Sequence, residues 1–213
     1  MSESYKVHSL VTEKKSALLV VDMQNDFVHG DGMFAHDGYD VSNYQRLEPT
    51  IYGMIETARE HGIPVVFVSM AHNESNDGSG AWRKRRLAKG HPNSCREGTW
   101  GAQQYGRLSP LSHEALIKKH RYSGFIGTDL DGRLKQLQIE TLVLVGINTN
   151  TCIESTARDA HQLDYHVVLV NEATTAAYED AITPSLTNIE RHFGIVVEHN
   201  EWQAAITGQT QVS

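Results

Sequence analysis

Short, nearly unbroken apolar runs rich in Val, Leu and Ile recur along the chain at residues 17–21, 64–70, 141–147, 166–170 and 195–198. Runs of that length without polar alternation predict strands covered on both faces, as in a parallel sheet. Helical periodicity fills the stretches between them, at 49–60, 130–137, 152–163 and 184–192. Gly62 and Gly194 stop the first and last of these, and Thr183-Pro184 opens the last. Strands alternating with helices predict right-handed crossovers in a doubly wound α/β sheet.

No Pro/Gly/Ser-rich linker or internal repeat divides the sequence, so residues 1–213 read as one domain. Residues 73–110 interrupt the alternation with little apolar periodicity and with Asp77-Gly78-Ser79-Gly80, His91-Pro92 and Gly98. A connection this long predicts a lid or binding loop, with a short helical piece near 82–87. In doubly wound folds ligands bind beyond the carboxyl ends of the strands, near a switch in strand order. The rule singles out Asp22, residues 70–73 and residues 148–152, which places a carboxylate and a thiol at one end of the sheet.

Composition narrows the function classes without changing the fold. The 213 residues are 39% hydrophobic and 21% charged, as in an ordinary globular chain. A net charge of −7 removes the basic excess that nucleic acid or an anionic membrane would attract, so neither is expected as a partner. The first fourteen residues lack the apolar core of an export signal, and the 17–21 run is far too short to span a bilayer. A soluble, cytoplasmic protein is expected, in which Cys95 and Cys152 are thiols.

Cys152 falls where a strand enters a short polar turn and a helix begins. Unpaired amide N–H groups and the helix dipole there favour thiolate over thiol, which would make the sulfur nucleophilic. The plainer reading is a buried small hydrophobe, as most free cysteines are. Asp22, ending the first strand at the same end of the sheet, is placed to accept or orient the thiol proton. It reads equally well as a turn or capping carboxylate, a role Asp26 also fits.

Three blocks occur in order: Val21-Asp22-Met23-Gln24-Asn25-Asp26-Phe27, Lys119-His120-Arg121-Tyr122-Ser123-Gly124-Phe125 and Gly146-Ile147-Asn148-Thr149-Asn150-Thr151-Cys152. Together they resemble the isochorismatase-like cysteine hydrolases over about residues 15–200. The resemblance implies a three-layer α/β/α domain with a mainly parallel sheet of about six strands. It also implies a catalytic triad of Asp22, Lys119 and Cys152. Lys118 and Lys119 look alike as strand-end charges, and only the family spacing to Ser123 and Phe125 selects Lys119. A cis peptide at Ile147–Asn148 is implied as well, aiming the backbone N–H groups of Asn148 and Cys152 at a developing oxyanion. The expected chemistry is attack by Cys152 on a carbonyl with Lys119 and Asp22 jointly setting the thiol's proton, loss of ammonia or an amine, and hydrolysis of a thioester, with Asp22 as acid and then base. Relatives are commonly dimers or tetramers, so a homo-oligomer is expected.

Nicotinamidases of that superfamily carry an Asp-x-His metal motif after the second strand. Here the segment reads Met70-Ala71-His72, and no zinc-type His or Cys spacing occurs elsewhere. Neither metal nor cofactor is expected, and His72 is assigned to the pocket. Gly98-Thr99-Trp100, residues 121–125 and residues 149–159 look closest to the ureidoacrylate and biuret hydrolase branch, which implies a terminal carbamoyl or ureido group in a small amide or ureide substrate. Gln24, Asn25, Tyr122 and Asn150 are the candidate donors and acceptors for that planar group, with Trp100 and Trp82 as walls. A hydrolase of simple carboxamides, nicotinamide- or maleamate-like, and a non-catalytic binding module of the same fold are the alternatives. The basic run at 83–89 reads as a solvated face, or as cations near the lid if the substrate carries a carboxylate.

Overall fold

The computed structural model describes residues 6–89 and 93–208, so His91-Pro92 of the long excursion lies outside the described residues. Six strands, β1 (Ser16–Val21), β2 (Val65–Met70), β3 (Ala115–Lys119), β4 (Thr141–Ile147), β5 (His166–Thr175) and β6 (Ile195–Val197), form a parallel sheet in the order β3-β2-β1-β4-β5-β6. Every residue of β1, β2 and β4 is buried, which is why their sequences show no polar alternation. The order runs outward from β1 through β2 to β3, then restarts on the other side of β1 with β4. The carboxyl ends of β1 and β4 therefore flank the switch point where a doubly wound sheet opens a crevice.

Three short helices follow β1: α1 (Asn25–Val28), α2 (Met33–His36) and α3 (Ser42–Gln45). The longer α4 (Glu48–Glu60) then returns the chain to β2. The excursion holds α5 (Glu74–Asp77) and α6 (Ala81–Ala88). α7 (Leu130–Gln136), α8 (Glu154–Gln162), α9 (Ile182–His192) and α10 (His199–Thr207) complete the helical layers on the two sides of the sheet.

The five predicted strands are present, and the differences have local causes. β5 continues to Thr175 because a register shift between Leu144 and Gly146 lets Thr174 and Thr175 pair with Gly146 and Ile147. The helix predicted from residue 152 starts at Glu154, after a wide π-type turn over Thr149–Ile153. The helix predicted from residue 184 starts at Ile182, with Pro184 in its first turn. β3 and α10 have no counterpart among the predicted elements. β3 is an edge strand that buries only Ile117 and Lys119 of its five residues.

One glycine makes the crevice geometry possible. Gly146 pairs with Val21 at φ +113°, and a Cβ there would lie 2.1 Å from the Val21 carbonyl oxygen. The last residues of β1 and β4 approach that closely just before Asp22 and Asn148. The excursion is tied to the same end of the sheet. Asp26 Oδ2 accepts the Cys95 N–H at 2.6 Å, and the His72 N–H donates to the Cys95 carbonyl at 2.9 Å.

Candidate active site

Three polar side chains meet where β1, β3 and β4 lead into their turns. Asp22 follows β1 in left-handed backbone (φ 55°), which Asp tolerates better than most residues. Its N–H donates to the Val68 carbonyl, and its Oδ1 accepts the Met70 N–H at 3.0 Å, so the carboxylate is fixed against the end of β2. Lys119, the last residue of β3, is fully buried. Its Nζ lies 2.7 Å from Asp22 Oδ2 and 3.3 Å from Cys152 Sγ, and donates to the Arg121 carbonyl at 3.2 Å. An ammonium has three N–H groups, and here each has an acceptor, the condition under which burying such a charge is tolerable. Lys118 alternates to the other face, is exposed, and pairs with Glu97.

Cys152 lies in the π-type turn that follows β4, and the Ile147–Asn148 peptide is cis. Thr156 Oγ1 donates to the Cys152 carbonyl at 2.7 Å and accepts the Gly124 N–H at 3.0 Å, locking the turn against the segment after β3. Burial pushes the Cys152 thiol well above its ordinary range, and the Asp22 charge adds to this, outweighing Lys119. Both effects work against the thiolate expected from a helix start. The sulfur sits in a turn ahead of α8 rather than in the helix itself. Burial also works against the Lys119 charge, but Asp22 and then the sulfur hold the ammonium above its ordinary pKa. Asp22 Oδ2 is buried and paired with Lys119, and as a carboxylate oxygen it can take a further proton.

A cavity of about 160 Å³ opens beside Asp22, Asn148 and Cys152. Phe34, Tyr39, Trp82, Tyr122 and Tyr178 supply aromatic walls. Trp82, Arg85, Arg86 and Lys89 also line it, at the i, i+3, i+4 and i+7 positions that share one helical face at α6 and its C-cap. The basic run is thus more than a solvated face. Arg86 is held by Asp77 at 3.2 Å, whereas Arg85 and Lys89 are exposed at the cavity.

Of the predicted substrate-binding residues, His72, Tyr122 and Asn150 line the cavity, and Gln24, Asn25 and Trp100 do not. Gln24 is fully buried, its Nε2 donating to the Met70 and Ala102 carbonyls at 2.9 and 2.8 Å and its Oε1 accepting the Met70 N–H at 2.8 Å. Asn25 Nδ2 donates to the Trp100 carbonyl at 2.9 Å. These amides bind the excursion to the end of β1, and all three Gln24 bonds go to main chain. Trp100 is 46% exposed and sets its ring edge-on to His29.

His72 is buried, and its Nδ1 has no hydrogen-bond partner among the described residues. Burial, reinforced by Arg86, lowers its pKa to about 3, so the imidazole is neutral. Tyr39, Phe34 and Tyr178 were not among the sequence candidates. They sit in or beside short irregular segments with no periodic pattern to mark them. Among the described residues no three His, Cys, Asp or Glu side chains come together in a way that could hold a metal ion, and no helix is long and apolar enough to cross a membrane.

The profile of the isochorismatase domain matches residues 16–201. A ureidoacrylate amidohydrolase RutB from Cronobacter sakazakii is 35% identical over 196 residues, covering 86% of this chain and 84% of that protein. A solved cysteine hydrolase from Pseudomonas syringae pv. phaseolicola has a TM-score of 0.83 at 27% identity, covering 98% of this chain and 99% of its own. The N-carbamoylsarcosine amidase of Thermoplasma acidophilum has a TM-score of 0.72 at 28% identity, covering 87% of this chain and 97% of its own.

Proposed function

The chain belongs to the isochorismatase domain family, and on that premise we propose that it is a cysteine amidohydrolase cleaving the terminal C–N bond of a small ureide, NH2–CO–NH–R. The observation that carries the reading is the Lys119 ammonium within 2.7 Å of Asp22 and 3.3 Å of the Cys152 sulfur. Asp22 takes the thiol proton as the sulfur attacks the ureido carbon, and Lys119 stabilises the negative sulfur as it forms. The backbone N–H groups of Asn148 and Cys152 hold the tetrahedral oxyanion. Asp22 returns its proton to the terminal nitrogen, ammonia leaves, and an S-carbamoyl thioester remains. Asp22 then deprotonates a water that attacks this thioester, releasing R–NH–COOH and restoring the thiol. Lys119 keeps its proton throughout.

The likeness to ureidoacrylate amidohydrolases supports a ureide over a simple carboxamide, and the cations Arg85 and Lys89 in the cavity suit a substrate that carries a carboxylate. The test measures ammonia release from carboxylate-bearing ureides, biuret, nicotinamide and maleamate. Ureides should react fastest, and Cys152→Ala should lower the rate by at least about 10³-fold with an unchanged melting temperature. A Cys152→Ala enzyme of near-normal rate, or a wild type that prefers nicotinamide, would overturn the assignment.

A further inference from the structure

Asn148 is held in a way that its place after β4 does not require. Its Oδ1 accepts two hydrogen bonds, from the Tyr44 hydroxyl at 2.6 Å and from the Ala177 N–H at 3.1 Å. A backbone N–H can only donate, so the side-chain oxygen must face Ala177, and the orientation of the amide follows. Tyr44 is completely buried in α3, and Ala177 follows β5, so three separate segments converge on one side chain. Among the described residues Asn148 Nδ2 has no hydrogen-bond partner, and Asn148 is half-buried in the wall of the cavity it shares with Cys152.

An amide nitrogen fixed in this way presents two donors and no acceptor, so it favours an oxygen and rejects a protonated amine, which can only donate. The backbone N–H of the same residue belongs, in the proposed reaction, to the oxyanion of the reacting carbonyl. An oxygen met by the side chain is therefore on another part of the substrate. We infer that Asn148 Nδ2 selects an oxygen acceptor on the R group of the ureide, which makes Asn148 a specificity-determining residue through its side chain. The inference deepens the ureide amidohydrolase reading and rests on it. The preferred R group ends in a carbonyl or carboxylate oxygen within reach of the wall formed by Asn148, and an alkyl or amino terminus at that point binds poorly.

Asn148→Asp separates this role from a scaffolding one. The variant keeps an oxygen for the Tyr44 hydroxyl and the Ala177 N–H, so its melting temperature should stay near that of the wild type, while the free donor becomes an acceptor. Three ureides of equal length are compared by kcat/KM, with R ending in a methyl ketone, an alkyl chain or a primary amine. The wild type should favour the ketone over the alkyl ureide by about tenfold, the loss expected when a buried donor is left without its acceptor. Asn148→Asp should lose that preference and turn over the amine best. Asn148→Ala, which removes both side-chain bonds, should lose the ketone preference without gaining the amine. A ketone-to-alkyl ratio that stays the same in Asn148→Asp, or an equal loss on all three ureides, would overturn the assignment. The same ligands are titrated calorimetrically into Cys152→Ser with and without Asn148→Asp. A wild type that cleaves none of the ureides sinks the amidohydrolase reading, and the affinities then decide the Asn148 assignment, which fails if they show no discrimination.

Discussion

Lys119 and His72 are both bases buried close to Cys152, and burial resolves them in opposite ways. The ammonium has a carboxylate, a sulfur and a carbonyl on its three N–H groups and keeps its charge. The imidazole has Arg86 and Lys119 as neighbouring positive charges and an unpartnered Nδ1, and it gives its charge up. Its folded pKa of about 3 lies below the ordinary 6.5, so the unfolded chain binds the proton more readily than the folded one. The stability contributed by neutral His72 is therefore fully present above about pH 6.5 and is lost as pH falls toward about 3. His72→Gln should flatten the decline in melting temperature between about pH 7 and about pH 4. Thermal melts across that range check it, and a decline as steep as in the wild type would assign the acid sensitivity to another group.

Among the elements, the contact between β1 and β4 leaves the least room for substitution. A methyl group at Gly146 would meet the Val21 carbonyl oxygen at 2.1 Å, in a backbone conformation at φ +113° that side chains rarely adopt. Gly146→Ala should cost about 3 kcal/mol or more and lower the urea midpoint accordingly, because the clash is with main chain at the centre of the sheet. An unchanged midpoint would show that the two strands can separate without cost.

The same strands explain what could be read in advance. β1, β2 and β4 are legible because burial on both faces leaves a continuous apolar run. β3 is not, because an edge strand with Leu116 and Lys118 facing out and Lys119 facing in has no continuous apolar run to mark its extent. The inward lysine becomes intelligible only once Asp22 and Cys152, from distant parts of the chain, are beside it. Gln24 and Asn25 mislead for a related reason. A sequence displays amide donors but not the main-chain carbonyls, of β2 and of the excursion, that they meet. The thiolate expectation counts a helix terminus and omits desolvation, which raises the thiol and depends on the tertiary fold.

Across the whole molecule, the switch in strand order gathers side chains from β1, β3 and β4, and the excursion brings cations to the cavity they share. Arg85 and Lys89 are exposed, so their contribution to binding an anionic substrate should be modest and screened by salt. Replacing both with Ala should raise KM for a carboxylate-bearing ureide by about tenfold at low ionic strength, and less at high salt, with little change for an uncharged alkyl ureide. Steady-state kinetics at two salt concentrations provide the check. An equal rise for both substrates would remove charge as the cause.

The position of Lys119 on the outermost strand has a consequence for how the protein fails. β3 is paired only with β2, on one side, while β1 and β4 are enclosed by neighbours on both. Fraying begins at such margins. Peeling away this single ribbon withdraws the cation from the sulfur and the carboxylate and leaves the central sheet intact. Catalytic death then comes before the loss of shape, and a chain that still looks native can already be inert.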